Sequence, residues 1–299
     1  MTDEREHLAL PIFTLTNGHI PPVTTASWLG EGDFCFCYLV NGEYVLRFAK
    51  HATASAANVR EACVLSVIAP LLSVAVPQPE ARGINNETGE QLQYYPLVPG
   101  TILESEVLES LPPAVQASLI AQMADFMRQV HAIPLEAVSA CGIPTFQTLT
   151  HFGEVMERAR DTLRPHLTDA VWNHHEALLA RATANPRFDH YTPVLLHGDL
   201  SPDHFLADLD TGKLTGVIDF GDVCIGDPAW DFVYILEDYG ADVLTAFLAH
   251  YDSDNAAFLA EKVRTYQHLN NVAYGVSALA EGNDDDFAEA MAILTEQAR

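Results

Sequence analysis

The chain has 299 residues, 48% of them hydrophobic, which is enough for about two packed cores and excludes a disordered tail or a fibre. With 15 Lys plus Arg against 41 Asp plus Glu its formal charge is −26, and no basic cluster interrupts the acidity. Nucleic acid and anionic membrane are therefore poor partners, since their phosphates need many cations, and the acidity suits either attraction of a cationic small molecule or plain solubility, as in a saline habitat.

The opening residues, MTDEREHLAL, mix charges with no apolar segment behind them, and no run of about 18 apolar residues occurs anywhere. Neither a signal peptide nor a spanning helix is predicted, and the cytoplasm is the expected location. Five cysteines, Cys35, Cys37, Cys63, Cys141 and Cys224, form an odd, scattered set that argues against a disulfide framework and suits a reducing compartment. Cys35 and Cys37 would share one face of a strand as small apolar side chains.

Residues 24–48 read as strand, turn, strand, a second turn at Asn41-Gly42, and strand. Asn-Gly between alternating apolar runs is the strongest short-range hairpin signal. A helix is predicted over 55–68 from the spacing of Ala57, Val64, Leu65 and Ile68, ended by Pro70. The run LQYYPLVPG at 92–100 reads as a strand passing into a connector at Pro99-Gly100. The boundary falls there, with a β-rich lobe over 1–99 carrying one helix and a mostly helical lobe over 100–299.

Ser110 before Leu111-Pro112 marks a helix start, and Val115, Leu119, Met123, Phe126 and Val130 follow a 3.6-residue stripe toward Pro134. Helical patterns then cover 148–184, 229–250 and 255–281, around a β island at 193–220. Asp284-Asp285-Asp286 reads as a solvated helix start, where negative charge suits the macrodipole.

The β island carries the chemistry. In HGDLSPDHFL, Val194-Leu195-Leu196 delivers Asp199 onto a loop, where a carboxylate can orient a hydroxyl and take its proton. His204 stands where the kinase pattern H-R-D-x-x-x-x-N has a metal-binding Asn, and a further apolar strand at 214–218 ends in Asp219-Phe220-Gly221. If the two strands lie side by side, Asp199, His204 and Asp219 meet at one rim. Each motif alone is weak, because Asp after a strand is usually a turn former. Their joint occurrence in a chain of this texture points to phosphoryl transfer.

HGDLSPDHFL together with GVIDFGDVCIGDPAWDF resembles the aminoglycoside phosphotransferase family of antibiotic kinases, over most of the chain and most specifically at 195–232. The resemblance implies an α+β, two-lobed protein-kinase-like fold, with an antiparallel β-sheet and one helix in the N-lobe and a mainly helical C-lobe. It implies a Mg²⁺-dependent O-phosphotransferase using ATP or GTP. Asp199 would be the catalytic base, His197 a buttress of its loop, and His204 and Asp219 metal ligands, with His204 replacing the usual Asn. Asp227 and Asp231 would be structural.

By the same resemblance Arg47 is the first candidate for the phosphate contact and Lys50 the second, with Glu61 as the acidic partner that fixes the cation. Gly30 and Gly32 would let the backbone approach the phosphates. Either Tyr95 or Leu97 would donate a backbone N–H to the purine, Pro96 having none. A cationic acceptor would meet Glu237 and Asp238, with acidic groups from Glu281 to Asp286 nearby. Tyr266 and Tyr274 read as core residues able to stack on a sugar. The alternative within this fold is a metabolic or macrolide kinase, with a sugar, amino alcohol or macrolide as acceptor.

Overall fold

The computed structural model describes residues 10–252 and 254–299. The chain packs as two compact units. The first takes in the described residues up to Ile143, with His197–Asp199 and Asp203–Val223; the second takes in Pro144–Leu196, Leu200–Pro202 and Cys224–Arg299.

The first unit is built on a six-stranded antiparallel sheet of β1 (Phe13–Asn17), β2 (Ala26–Glu31), β3 (Cys35–Val40), β4 (Tyr44–Ala49), β5 (Ala81–Asn85) and β6 (Gln91–Pro96), in the order β1-β5-β6-β4-β3-β2. The Asn41-Gly42 turn joins β3 to β4, and both residues adopt left-handed backbone (φ 52 and 72), which glycine tolerates freely and Asn better than most. Asn41 Oδ1 accepts the amide of Thr24 at 2.8 Å, which ties the turn to the entry of β2. One sheet face packs Tyr38, Val40, Leu46, Phe48, Leu92 and Tyr94 into a core, with Phe36 stacked on Phe48 at 5.2 Å. Strand alternation sends Arg47 to the opposite face, which packs against α1 (Ala52–Ile68). Strands β1 and β5 lie outside the segments predicted from sequence.

Cys63 of α1 and Cys141, at the end of a 3₁₀ segment (Leu135–Cys141), form a disulfide. This corrects the expectation of five unpaired thiols: the two residues are 78 positions apart, and only folding brings their Cα atoms to 5.4 Å. Cys35, Cys37 and Cys224 lie outside the disulfide.

The first unit also holds a three-stranded sheet in which β9 (Phe205–Asp208) lies between β7 (Thr101–Ile102) and β10 (Lys213–Val217). Helix α2 (Ser105–Ser110) ends at the expected helix start, and the apolar stripe belongs to α3 (Pro113–His131), which begins at Pro113 with Pro112 as its cap. Its Gln122 donates to the Gly212 carbonyl and accepts the Leu214 amide, holding α3 on the β9–β10 hairpin.

The second unit carries β8 (Val194–Leu196), paired antiparallel with β11 (Cys224–Gly226). Its helices are α4 (Thr148–Thr162), α5 (Asp169–Ala184), α6 (Pro186–Asp189), α7 (Val233–Tyr251), α8 (Ala256–Glu281) and α9 (Asp284–Gln297). The pattern predicted over 148–184 is thus two helices, parted by a 3₁₀ turn at Arg164–His166 and restarted by the Thr168 side chain, which accepts the Val171 amide at 3.3 Å. Val155, Met156, Leu163, Trp172, Val272 and Leu294 form its core. Asn283 caps α9 ahead of the three aspartates of its first turn.

Candidate active site

Strands β8 and β10 do not pair with each other, contrary to the side-by-side arrangement expected from sequence: β8 pairs with β11 and β10 with β9. The meeting of Asp199, His204 and Asp219 has a different cause. The β9–β10 register sets Phe205 opposite Val217, and the Ile218 amide donates to the His204 carbonyl at 3.0 Å, so His204 and Asp219 flank one end of a hairpin. His197, buried against the Phe220 ring at 4.5 Å, donates from Nε2 to the Ile218 carbonyl at 3.0 Å and ties the Asp199 loop to the same hairpin.

His204 Nδ1 lies 2.8 Å from the Asp199 carbonyl oxygen, which can only accept, so Nδ1 carries the proton. In the neutral ring Nε2 then keeps its lone pair, 3.9 Å from Asp219 Oδ2 and 3.8 Å from Asp203 Oδ2. Asp219 adopts left-handed backbone (φ 62), sparsely populated by non-glycine residues. Its Oδ1 accepts Arg47 Nη2 at 2.8 Å.

Arg47 and Glu61 are both buried, and Arg47 Nη1 reaches both Glu61 oxygens at 2.9 Å. Glu61 Oε1 also accepts the Phe220 amide at 3.1 Å. Burial works against the Arg47 charge, but Glu61 and Asp219 outweigh it and hold the guanidinium ionised. Burial likewise works against Asp219, while Arg47 and His204 keep its carboxyl below the ordinary carboxylate range. Asp199 differs: burial pushes it up to about 6, nearby His204 opposes this, and Asp222, Asp219 and Asp203 add to the rise. A carboxylate so raised is ionised at neutral pH yet a better proton acceptor than a surface aspartate.

Of the remaining residues singled out in the sequence, Lys50 pairs with Glu31 at 3.0 Å rather than with Glu61. Gly30 lies in β2 and Gly32 in the turn after it, and a Cβ on either would meet no protein atom within 4 Å. The hinge expectation needs correction. The Leu97 amide donates to the Glu43 carbonyl at 2.8 Å, and Tyr95, opposite Val45, falls in the next hydrogen-bonded pair of the same antiparallel ladder. Both N–H groups are therefore committed to the sheet. The Tyr95 side chain is instead the notable feature, its phenol buried within the fields of Cys37, Arg47, Glu61 and Asp219 and its pKa raised chiefly by burial.

Three residues that the motifs did not single out belong to this site. A Cβ on Gly198 would fall 2.1 Å from the Asp222 carbonyl oxygen, so only glycine fits between the Asp199 loop and the segment after D-F-G. Asp222 is raised by burial and by Asp219, and lowered by Arg60. Arg60 donates from Nη2 to the Gly221 carbonyl at 3.4 Å. Gly198 and Asp222 lie inside the two quoted motifs and Arg60 beside Glu61, but nothing in the sequence marks the contacts among them.

In the second unit, Glu237 and Asp238 are exposed on α7, and desolvation together with the neighbouring Asp238 charge pushes Glu237 up to about 7. Asp227 is buried, accepts the Tyr266 hydroxyl at 2.7 Å and the Ala229 amide at 3.0 Å, and pairs with buried Lys262. Asp231 is fully buried. Tyr274 lies 3.4 Å from Glu289 through its hydroxyl.

The sequence matches the phosphotransferase enzyme family over residues 33–266. It is 28% identical over 277 residues to viomycin phosphotransferase of Streptomyces vinaceus, covering 90% of this chain and 93% of that protein. The structure of wild-type aminoglycoside 2'-phosphotransferase-IIIa in complex with GDP superposes with a TM-score of 0.87 at 30% identity, covering 93% of each chain. A complex of APH(2")-IIia with GDP and kanamycin gives the same TM-score and identity over 92% of this chain and 93% of that one. With its antiparallel sheet, its helical C-terminal region and the D-F-G and H-G-D segments joined at one hairpin end, the chain belongs to the phosphotransferase enzyme family and has the α+β, protein-kinase-like fold of the aminoglycoside phosphotransferases.

Proposed function

We propose that this protein transfers the γ-phosphoryl group of ATP or GTP to a hydroxyl of a cationic, aminoglycoside-like small molecule. The observation that carries the reading is the convergence of Asp199, His204, Asp219 and Arg47 at the end of the β9–β10 hairpin. Residues 1–99 would serve as the nucleotide-binding lobe and 100–299 as the catalytic and acceptor-binding lobe. The GDP complexes of the similar structures favour a guanine nucleotide.

The donor set fits Mg²⁺. Among the described residues no three His, Cys, Asp or Glu side chains form a metal cage. Mg²⁺ does not require one, since it usually takes one or two protein ligands and completes its shell with phosphates and water. His204 Nε2 and Asp219 Oδ2 would be those ligands, Asp219 Oδ1 being held by Arg47. Bound there, the ion would neutralise charge on the phosphates.

Asp199 orients the acceptor hydroxyl and takes its proton as the new phosphorus–oxygen bond forms and the nucleoside diphosphate leaves. Arg47, locked by Glu61, offers a fixed cation to the phosphates. Gly30 and Gly32 leave the β2–β3 turn open to them, and Val98, the next residue able to donate, replaces Tyr95 and Leu97 as candidate purine donor. Glu237 and Asp238 attract the ammonium groups of the acceptor, in keeping with a net charge of −26.

Similarity to viomycin phosphotransferase over 90% of the chain supports viomycin as a second acceptor. We also place the protein in the cytoplasm; among the described residues no helix is long and apolar enough to cross a membrane. Reducing pools there would favour the open form of Cys63–Cys141. The test is phosphate transfer from ATP and from GTP over a panel of aminoglycosides, viomycin, a macrolide and neutral sugars. Turnover of an aminoglycoside or of viomycin supports an acceptor with several ammonium groups; turnover of the neutral sugars or the macrolide alone rejects it.

A further inference from the structure

Asp219 adopts left-handed backbone, which Asp tolerates better than most residues, and the segment around it is held by several contacts. Arg47 fixes its carboxylate, Glu61 fixes the amide of Phe220 and Asp219 Oδ1 accepts the Gly221 amide at 3.3 Å, yet none of these holds the Gly221 carbonyl. Arg60 supplies that hold. It precedes Glu61 on α1, and its Nη2 donates to the carbonyl of Gly221 at 3.4 Å. Two consecutive residues of one helix thus grip the N–H of Phe220 and the C=O of Gly221.

The gripped segment backs directly onto the catalytic loop. The Asp222 carbonyl oxygen stands 2.1 Å from where a Cβ of Gly198 would lie, leaving no slack between the residue after D-F-G and the residue before Asp199. A shift of Gly221 and Asp222 is therefore passed to Asp219 on one side and to Asp199 on the other. Arg60 Nε is buried without a hydrogen-bond partner. Such a donor is a burden on stability, so the guanidinium is not explained by packing alone.

We propose that Arg60 is a positioning residue which, with Glu61, clamps Phe220-Gly221 at both ends and so sets the Asp219 carboxylate and the loop bearing Asp199. The consequence for turnover rests on the roles given above to Asp199 and Asp219; the clamp itself does not.

The test uses the full chain with Arg60→Met, which keeps the apolar stem, and Arg60→Lys, which restores one donor. In nucleotide-free protein, hydrogen exchange of the Phe220 amide should quicken about tenfold in Arg60→Met, while the Leu46 and Leu65 amides stay unchanged. In turnover, kcat should fall about tenfold and the Mg²⁺ concentration for half-maximal rate should rise, with acceptor KM within about twofold and partial recovery in Arg60→Lys. Unchanged exchange at Phe220, or equal acceleration at Leu46 and Leu65, overturns the proposal, as does quickened exchange with unaltered kcat and Mg²⁺ requirement. Asp219→Asn is the control: if it turns over normally, the role given to Asp219 has failed, whatever Arg60 does to exchange.

Discussion

The His204 ring is fixed by the backbone of the residue it serves: Nδ1 donates to the Asp199 carbonyl at 2.8 Å, which turns Nε2 toward Asp219. An Asn at position 204 could repeat part of this arrangement, with its amide donating to the carbonyl and its oxygen facing a hard cation. His204→Asn should therefore retain most of the activity, whereas His204→Ala should lose about tenfold or more in kcat with a raised Mg²⁺ requirement. The check is a Mg²⁺ titration of turnover for both variants; equal rates for wild type and His204→Ala at saturating Mg²⁺ would remove His204 from the site.

Glu237, pushed up to about 7, should make acceptor binding sensitive to pH. Above that value it is a carboxylate that attracts ammonium groups; below it the proton removes the charge. Between pH 8 and pH 6 the ionised fraction falls about tenfold, and acceptor KM should rise in step. Glu237→Gln should show a high KM with little pH dependence, which separates this residue from titration of the acceptor's own amines. A wild-type KM that is flat over the range would exclude Glu237 from acceptor binding.

The Cys63–Cys141 bond closes a long loop, with a sequence separation of 78. Loop-closure entropy gives it about 4 kcal/mol of stabilisation relative to the reduced, unfolded chain. Cys63→Ser should lower denaturant stability of the oxidised protein by up to that amount, and reduction of wild type should do the same. Mass spectrometry of the purified, oxidised protein after alkylation without reductant should find three modified thiols, Cys35, Cys37 and Cys224, and five once it is reduced.

His175 is almost fully buried, with Nε2 3.3 Å from the Leu294 carbonyl, and burial lowers its pKa to about 4 from 6.5. The unfolded chain takes up a proton near pH 6.5 that the folded one refuses. Its contribution is therefore intact above pH 6.5 and is lost as pH falls toward 4, by at most about 3 kcal/mol. Denaturant midpoints across this range should fall less steeply for His175→Phe than for wild type; parallel slopes would show that His175 does not drive the acid limb.

Much of the site was legible because its parts are carried by one contiguous segment. His197, Asp199, His204 and Asp219 all lie within a single loop-and-hairpin stretch, and strand alternation fixes the face of Arg47. The β3–β4 turn was readable from Asn41-Gly42, since few residue pairs accept two consecutive left-handed conformations. Strands β1 and β5, FTLTN and ARGIN, were not, because short, half-polar strands depend on their sheet neighbours. Pairing was equally hidden: nothing local states that β8 takes β11 as partner, or that Cys63 meets Cys141. The Leu97 amide looked available because its acceptor, Glu43, is supplied by another strand's turn. Arg60 reads as an ordinary helix cation until Gly221 is set beside it.

The most direct test of the central claim is Asp199→Asn, assayed in parallel for turnover and for nucleotide affinity by equilibrium fluorescence. The loop geometry should survive, because His204 Nδ1 bonds the Asp199 carbonyl at 2.8 Å, a contact the substitution leaves in place. Loss of the proton acceptor should cut kcat by about 10²-fold or more, with nucleotide affinity nearly unchanged. Turnover at the wild-type rate, with nucleotide binding weakened instead, would contradict the assignment of Asp199 as the base.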